Sequence, residues 1–459
     1  MKNLLESKRI QALKRYSQKT FERIKNERIK HNLMLAVPFW IASAVSGLLA
    51  VFYAKIFSIT EHLSLQIFND YPYLIFILAP ACFVVSGWLV TRFAPFARGS
   101  GIPQVMASID LAEPGSHKSV DRFLGLKVIW VKIVSSLVML FGGGAIGREG
   151  PTIQIAASVF RVVNKVIPAD WPKVSSRNMI TTGAAAGLAA AFNTPLGGIV
   201  FAVEELSKTH ISFFRTALFS AVIISGLTAQ ALLGPYLYLG YPKVADLSWF
   251  IMGVVIIVAA VAGIAGGSFG LLIMRAINFQ LHLKAKYKWM FLALCGLIIA
   301  SLSFFVSDIV MGSGNNTISA LLFSADKSSD IKVFFLRFVG PLLSFTGGGA
   351  GGVFAPSLAT GATIGGIAAD LFKLGSSDAN LVILTGMVGF LTGVTRTPFT
   401  SSILVLEMTD RHSVIFYLML AGMVASVVAL SVDRRSFYEH LKREYMKKVQ
   451  EPASAGKGK

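Results

Sequence analysis

Six long apolar runs constrain this chain more than any other feature: residues 33–54, 73–90, 217–233, 249–274, 289–306 and 413–432. Several reach the ~20 residues needed to cross ~30 Å of hydrocarbon. The rest of the chain cannot mask them in water. Only 15% of the 459 residues are charged, against about a quarter in soluble globular proteins. A polytopic, all-α membrane protein is expected.

A net charge of +19 could suggest nucleic acid, but its placement suggests topology instead. Residues 1–31 hold ten Lys/Arg against three Glu, and residues 433–459 hold eight against four acids. Basic flanks around a hydrophobic block mark cytoplasmic ends and attract anionic lipid. Both termini are therefore expected inside, with an even number of crossings and no nucleic-acid partner. The basic stretch 4–29 fits a surface helix before the first span, and is too long for a secretory leader. The two cysteines, Cys82 and Cys295, lie inside apolar runs and read as buried thiols. No metal-ligand cluster is visible, and no cofactor is expected.

A repeat runs through the membrane block. Gly-Gly-Gly-Ala-Ile-Gly-Arg-Glu-Gly-Pro at 142–151 aligns without gaps on Gly-Gly-Gly-Ala-Gly-Gly-Val-Phe-Ala-Pro at 347–356, with six of ten positions identical. At a shift of 203, Thr182-Gly183, Leu188, Thr194-Pro195 and Glu204 match Thr385-Gly386, Leu391, Thr397-Pro398 and Glu407. Gly99-Ser100-Gly101 weakly matches Gly312-Ser313-Gly314. The chain thus divides into a basic segment 1–32, a first half 33–240, a second half 247–432 and a basic tail 433–459. Such repeats with Gly/Pro-broken segments are a recurring transporter plan, with the site where broken helices meet. The segments after Pro151 and Pro356 read as too glycine-broken to span comfortably, and irregular backbone at that depth must line protein or a polar cavity.

The motifs carry anion chemistry. Gly147-Arg148-Glu149-Gly150-Pro151 and Gly351-Gly352-Val353-Phe354-Ala355-Pro356 each combine close-approach glycines with a proline suited to a helix start. The unpaired N–H groups and dipole of a helix start bind anions without a full positive charge. Gly99-Ser100-Gly101-Ile102-Pro103 repeats the design and adds a hydroxyl donor at Ser100. Weak binding suits an ion that must leave again. Glu149 lies where the anion should go: ionised, its carboxylate competes for the amides, and protonated it withdraws. The competing reading is a structural ion pair with Arg148.

These motifs, with Glu204-Glu205 and Ser436-Phe437-Tyr438-Glu439-His440-Leu441, resemble the CLC family of chloride channels and proton/chloride antiporters over about residues 33–445. The resemblance implies a homodimer with one pathway per subunit, each built from two inverted halves of tilted and broken helices. It makes Glu149 the outer gating glutamate. Ser100 and Tyr438 become hydroxyl ligands of the central chloride, with the backbone amides of Val353 and Phe354 completing the shell beside Gly101 and Ile102. Tyr445 is a nearby decoy for Tyr438. Glu205 matches the inward proton-transfer glutamate of the antiporters, where channels usually have an apolar residue. Glu204, whose repeat partner is Glu407, suggests a structural role. Serine at position 100 favours chloride, because nitrate-selective and fluoride-exporting relatives depart from it. Lys132, in the apolar stretch 128–140, needs a buried partner.

The expectation is a prokaryotic H+/Cl− antiporter of the inner membrane, and not an enzyme; the alternative is a passive chloride channel. The stretch after Tyr438 is too short for a pair of regulatory nucleotide-binding modules. A remote alternative is an intramembrane serine protease, since Gly266-Gly-Ser-Phe-Gly270 matches Gly-x-Ser-x-Gly. No histidine lies within an apolar segment to act as its base, and small-residue helix packing explains the glycines better. No phosphate loop for ATP-driven transport occurs.

Overall fold

The structure, a computed structural model, describes residues 26–450 apart from 113–116, 169–170, 173, 208–214, 235–236 and 246. Most of the expected surface helix at 4–29 lies outside the described residues. In chain order the helices of the first half are α1 (Glu27–Asp70), α2 (Ile75–Phe93), α3 (Ile102–Asp110), α4 (His117–Phe123), α5 (Leu126–Phe141), α6 (Glu149–Val166), α7 (Ser176–Phe192), α8 (Pro195–Phe201) and α9 (Arg215–Leu233). Then follow α10 (Ile251–His282), α11 (Ala285–Phe305), α12 (Asn315–Phe323), α13 (Ile331–Thr346), α14 (Phe354–Leu371), α15 (Ser376–Thr395), α16 (Pro398–Thr409), α17 (Ile415–Ala429) and α18 (Phe437–Gln450). Among the described residues there is no strand longer than an isolated bridge.

Eight segments of the described residues are long and apolar enough to cross a membrane. Their burial shows which ones meet lipid. The apolar windows of α2, α9, α11 and α17 are only one-third buried, whereas that of α15 is wholly buried. Ile77, Phe305 and Phe416 are each at least 70% exposed, a state that hydrocarbon accommodates and water does not. The chain is an integral membrane protein. Helix α1 opens on Asn26, whose side chain accepts from the N–H groups of Arg28 and Ile29 at 3.1 and 3.2 Å. Its 44 residues span about 66 Å at 1.5 Å per residue, far more than the hydrocarbon thickness, so it tilts or projects beyond it.

The halves have matching parts. Helices α3 and α12 have nine residues each, α5 and α13 sixteen, and α6 and α14 eighteen. The packing also matches: α1 lies on α9 as α10 lies on α17, and α6 on α7 as α14 on α15. Asn193 and Arg396, 203 positions apart, both adopt the left-handed conformation that ends α7 and α15. The inversion, invisible in the sequence, shows at the centre. Gly147 and Gly352 pair antiparallel, each N–H donating to the other's carbonyl at 2.8 and 2.7 Å. Equivalent residues that exchange antiparallel hydrogen bonds are related by a local twofold axis passing between them. This is a fold of two inverted halves of tilted and broken helices.

Helices α6 and α14, the segments after the two glycine motifs, are regular for eighteen residues and almost wholly buried. Their small residues face protein instead of lipid. At Gly361 and Gly386 the backbones of α14 and α15 approach too closely for a Cβ. Gly266 likewise packs on Phe390 and Gly393 in the middle of α10. The Gly-x-Ser-x-Gly sequence is therefore a helix-packing surface, without the strand-to-helix elbow that exposes a serine nucleophile.

Candidate functional site

The three glycine motifs meet through their backbones. Gly99 donates to Gly349 O at 2.8 Å and accepts from Gly351 N at 3.1 Å, while Gly147 and Gly352 pair as described. Gly99 and Gly101 have φ of 65° and 105°, a region L side chains rarely adopt. This backbone swings directly into α3 at Ile102 and Pro103. Helix α6 begins at Glu149, with Gly150 and Pro151 in its first turn, and α14 begins at Phe354 after Val353, with Pro356 in its first turn. Three helix starts, with their unpaired N–H groups, thus converge in the protein interior.

Two buried cations back the loops. Lys132 Nζ donates to the carbonyls of Ala97 and Gly99 at 2.9 and 2.6 Å. Its counterpart 205 positions on, Arg337, donates to the carbonyls of Ile309, Met311 and Gly312 at 2.5, 2.8 and 3.1 Å. Each Gly-Ser-Gly turn therefore has its first carbonyl, and carbonyls just before it, held by a cation, which leaves its N–H side electropositive without placing the cation in contact with an anion there. In the second half that N–H side is taken: Ser313 N donates to Glu61 Oε1 at 2.6 Å. In the first half Ser100 has no such carboxylate partner among the described residues.

Glu149 is 1% exposed. Its carboxylate lies near the N–H groups of Glu149 itself and of Ala355, at the starts of α6 and α14, and its Oε2 makes no hydrogen bond among the described residues. Its Oε1 accepts from the Tyr238 hydroxyl at 2.9 Å, and Tyr238 in turn accepts from Asn315 Nδ2 at 3.2 Å. Arg148 lies within electrostatic range of Glu149; its guanidinium also reaches Ala54 O at 3.2 Å and lies 5.7 Å from the centre of the Tyr238 ring. Tyr238 is the residue that sequence reasoning missed. It lies in the connection between α9 and α10, outside every motif. It is one of three tyrosines between two apolar runs, Tyr236, Tyr238 and Tyr241, and nothing in the sequence singles it out.

Ser100 Oγ and the Tyr438 hydroxyl are buried, neighbour each other, and make no hydrogen bond within geometric limits among the described residues. Buried hydroxyls normally find partners; here two donors converge beside the helix starts. Tyr438 stacks on Phe354 with ring centres 6.4 Å apart. Tyr445, the nearby decoy, instead receives a bond from Gln104 Nε2 at 3.3 Å and packs on Phe96 and Phe123. Gly150 has no room for a side chain, because a Cβ there would fall on Ser100 Oγ.

Glu205 is not among the clustered loops. It sits half-buried on the single π turn Ala202–Leu206 that ends α8, a distortion frequent at functional sites. Tyr438 lies within electrostatic range of both Glu205 and Glu149. Neighbouring Glu204 turns elsewhere: it accepts from the N–H groups of Phe399 and Thr400 at 3.1 and 2.7 Å and from Thr400 Oγ1 at 2.7 Å.

A protein-family model described as voltage gated chloride channel matches residues 81–430. The fold is similar to that of a slow cyanobacterial Cl−/H+ antiporter, with a TM-score of 0.77 and 25% identity over 90% of this chain and 98% of the other. It is also similar to a CLC-type fluoride/proton antiporter (TM-score 0.73, 21% identity, 88% of this chain and 96% of the other). A eukaryotic CLC transporter aligns with a TM-score of 0.72 and 21% identity over 90% of this chain and 75% of the other.

Proposed function

The chain belongs to the voltage gated chloride channel family, and from that premise we propose that it is a proton-coupled chloride antiporter. The observation that carries this reading is the position of Glu149, a carboxylate at the starts of α6 and α14 within electrostatic range of Tyr438, whose hydroxyl neighbours that of Ser100. A helix start attracts carboxylate and chloride alike. Ionised Glu149 occupies the amides; protonation removes its charge and lets chloride replace it. In that event a proton is taken up on Glu149 while chloride takes the place of its carboxylate, which couples the occupancy of the two ions.

Chloride binds between the hydroxyls of Ser100 and Tyr438 and the amides near Val353 and Phe354, with the Gly101–Ile102 turn closing the shell. Protons reach Glu149 from the other side by way of Glu205, and the cytoplasmic basic termini set the orientation. The protein works as a homodimer in a prokaryotic inner membrane, each subunit carrying its own pathway through the halves 33–240 and 247–432. Similarity to the Cl−/H+ antiporter supports exchange over passive conduction, as does an acidic residue at position 205.

Calorimetric titration of chloride tests the shared site. Glu149→Gln should bind chloride more tightly than the parent at neutral pH, and the parent should bind more tightly as pH falls. Equal, pH-independent affinity in both proteins would remove the competition on which the proposal depends.

A further inference from the structure

Most buried or half-buried cations in this chain have a countercharge or a ring of carbonyls. Asp121 holds Arg161 and Lys165, Asp110 holds Lys442, and Lys132 and Arg337 sit on backbone carbonyls. Arg98 differs. Half-buried immediately before the Gly99 loop, it bonds the side-chain oxygen of Gln280 and has no carboxylate within ion-pair distance among the described residues. Beside it lies a cavity of about 280 Å³ lined by Thr91, Arg98, Gln280, Lys288, Trp289 and Leu292. Lys288 likewise lacks an acidic partner among the described residues. Two cations without a carboxylate partner among the described residues therefore face one mainly apolar recess, walled by Leu281, Trp289 and Leu292.

The recess opens where α10 ends and α11 begins, a turn that also carries His282, Lys284 and Lys286. Such clustering marks the cytoplasmic side, and Trp289 is suited to the headgroup level. Cations near low-dielectric surroundings are costly unless an anion joins them. Thr91 and Gln280 add neutral hydrogen-bonding groups of the kind a phosphate ester uses, and Leu292 suits an attached acyl chain. A chloride ion would fill little of this volume. We propose that the Arg98–Lys288 cavity binds a phosphate ester, either the headgroup of an anionic lipid or a soluble phosphate.

Two arms separate these sources while using the full chain. In the first, the protein is placed in nanodiscs of phosphatidylcholine containing a minor share of phosphatidylglycerol, and native mass spectrometry counts the retained anionic lipid. In the second, glycerol phosphate is titrated calorimetrically against the protein in phosphatidylcholine alone. Retained phosphatidylglycerol assigns the site to lipid, and saturable glycerol phosphate binding assigns it to a soluble ester. In the active arm, Arg98→Gln and Lys288→Gln should each weaken binding about fivefold, the weight of one basic residue near an anionic surface. Lys286→Gln, outside the cavity lining, should leave it unchanged. Lys288→Gln changes only a partly exposed side chain and keeps the test valid if Arg98→Gln fails to fold. No binding in either arm, or equal weakening by Lys286→Gln, would overturn the proposal.

Discussion

Glu204 and Glu407 cap each other's halves. Glu204 accepts from the first N–H groups of α16, and Glu407 accepts from Leu196 N and Gly197 N at the start of α8, at 3.0 and 2.6 Å. Two carboxylates 203 residues apart thus exchange the same service across the local twofold, joining the halves through helix dipoles. The adjacent residue, Glu205, has no acidic counterpart: its equivalent at 408 is Met408. The symmetry-related structural role of Glu204 and Glu407 is thus not shared by Glu205.

Glu204→Ala and Glu407→Ala should therefore act on stability. Each leaves two helix-start N–H groups without their carboxylate, at a cost of roughly 1–3 kcal/mol. Thermal unfolding in detergent should show lower midpoints for both. The number of protons moved per chloride should remain that of the parent.

Glu205→Gln should do the reverse. The folded protein should melt near the parent temperature, while proton movement in liposomes falls to background and chloride flux continues. Parent-like coupling in this variant would remove Glu205 from the proton route.

Tyr238→Phe removes a hydrogen bond to Glu149 but keeps the ring beneath Arg148. A hydrogen bond to a charged group contributes about 1.5 kcal/mol or more, which corresponds to roughly tenfold in the population of the displaced carboxylate. Chloride turnover should rise by up to about that factor where displacement of Glu149 limits the rate. Unchanged turnover would make Tyr238 a packing residue only.

Gly150→Ala should weaken chloride binding without unfolding the protein. The added methyl meets Ser100 Oγ and also the Ser100 carbonyl at 2.8 Å, so both the hydroxyl and the backbone of the Gly99–Gly101 turn must shift. Calorimetry should show a loss of at least tenfold, about the worth of one hydrogen bond to an anion. Retained affinity would show that Ser100 does not contact the bound ion.

Much of this architecture was legible because the repeat preserved the residues with special backbone roles. The glycines and prolines at 99–103, 142–151 and 347–356 marked three helix starts, and the Thr-Pro pairs marked the repeat. What escaped detection lacked a fixed residue type. Lys132 and Arg337 perform one task with different side chains, so no identity flagged them as partners. Tyr238 reaches Glu149 from a loop whose path depends on tertiary packing. The apolar run 33–54 revealed only part of α1, because its ends continue as helix beyond the most hydrophobic stretch. The segments after Pro151 and Pro356 read as too glycine-broken to span, yet α6 and α14 are regular helices because they are packed against protein.

The most direct test of proton–chloride exchange is proton movement in liposomes under a chloride gradient with the voltage clamped at zero. The parent protein should drive protons uphill, against their own gradient, as chloride runs down, and Glu149→Gln should pass chloride with no proton movement. Chloride flux from the parent without any proton movement would contradict the account and identify a passive channel.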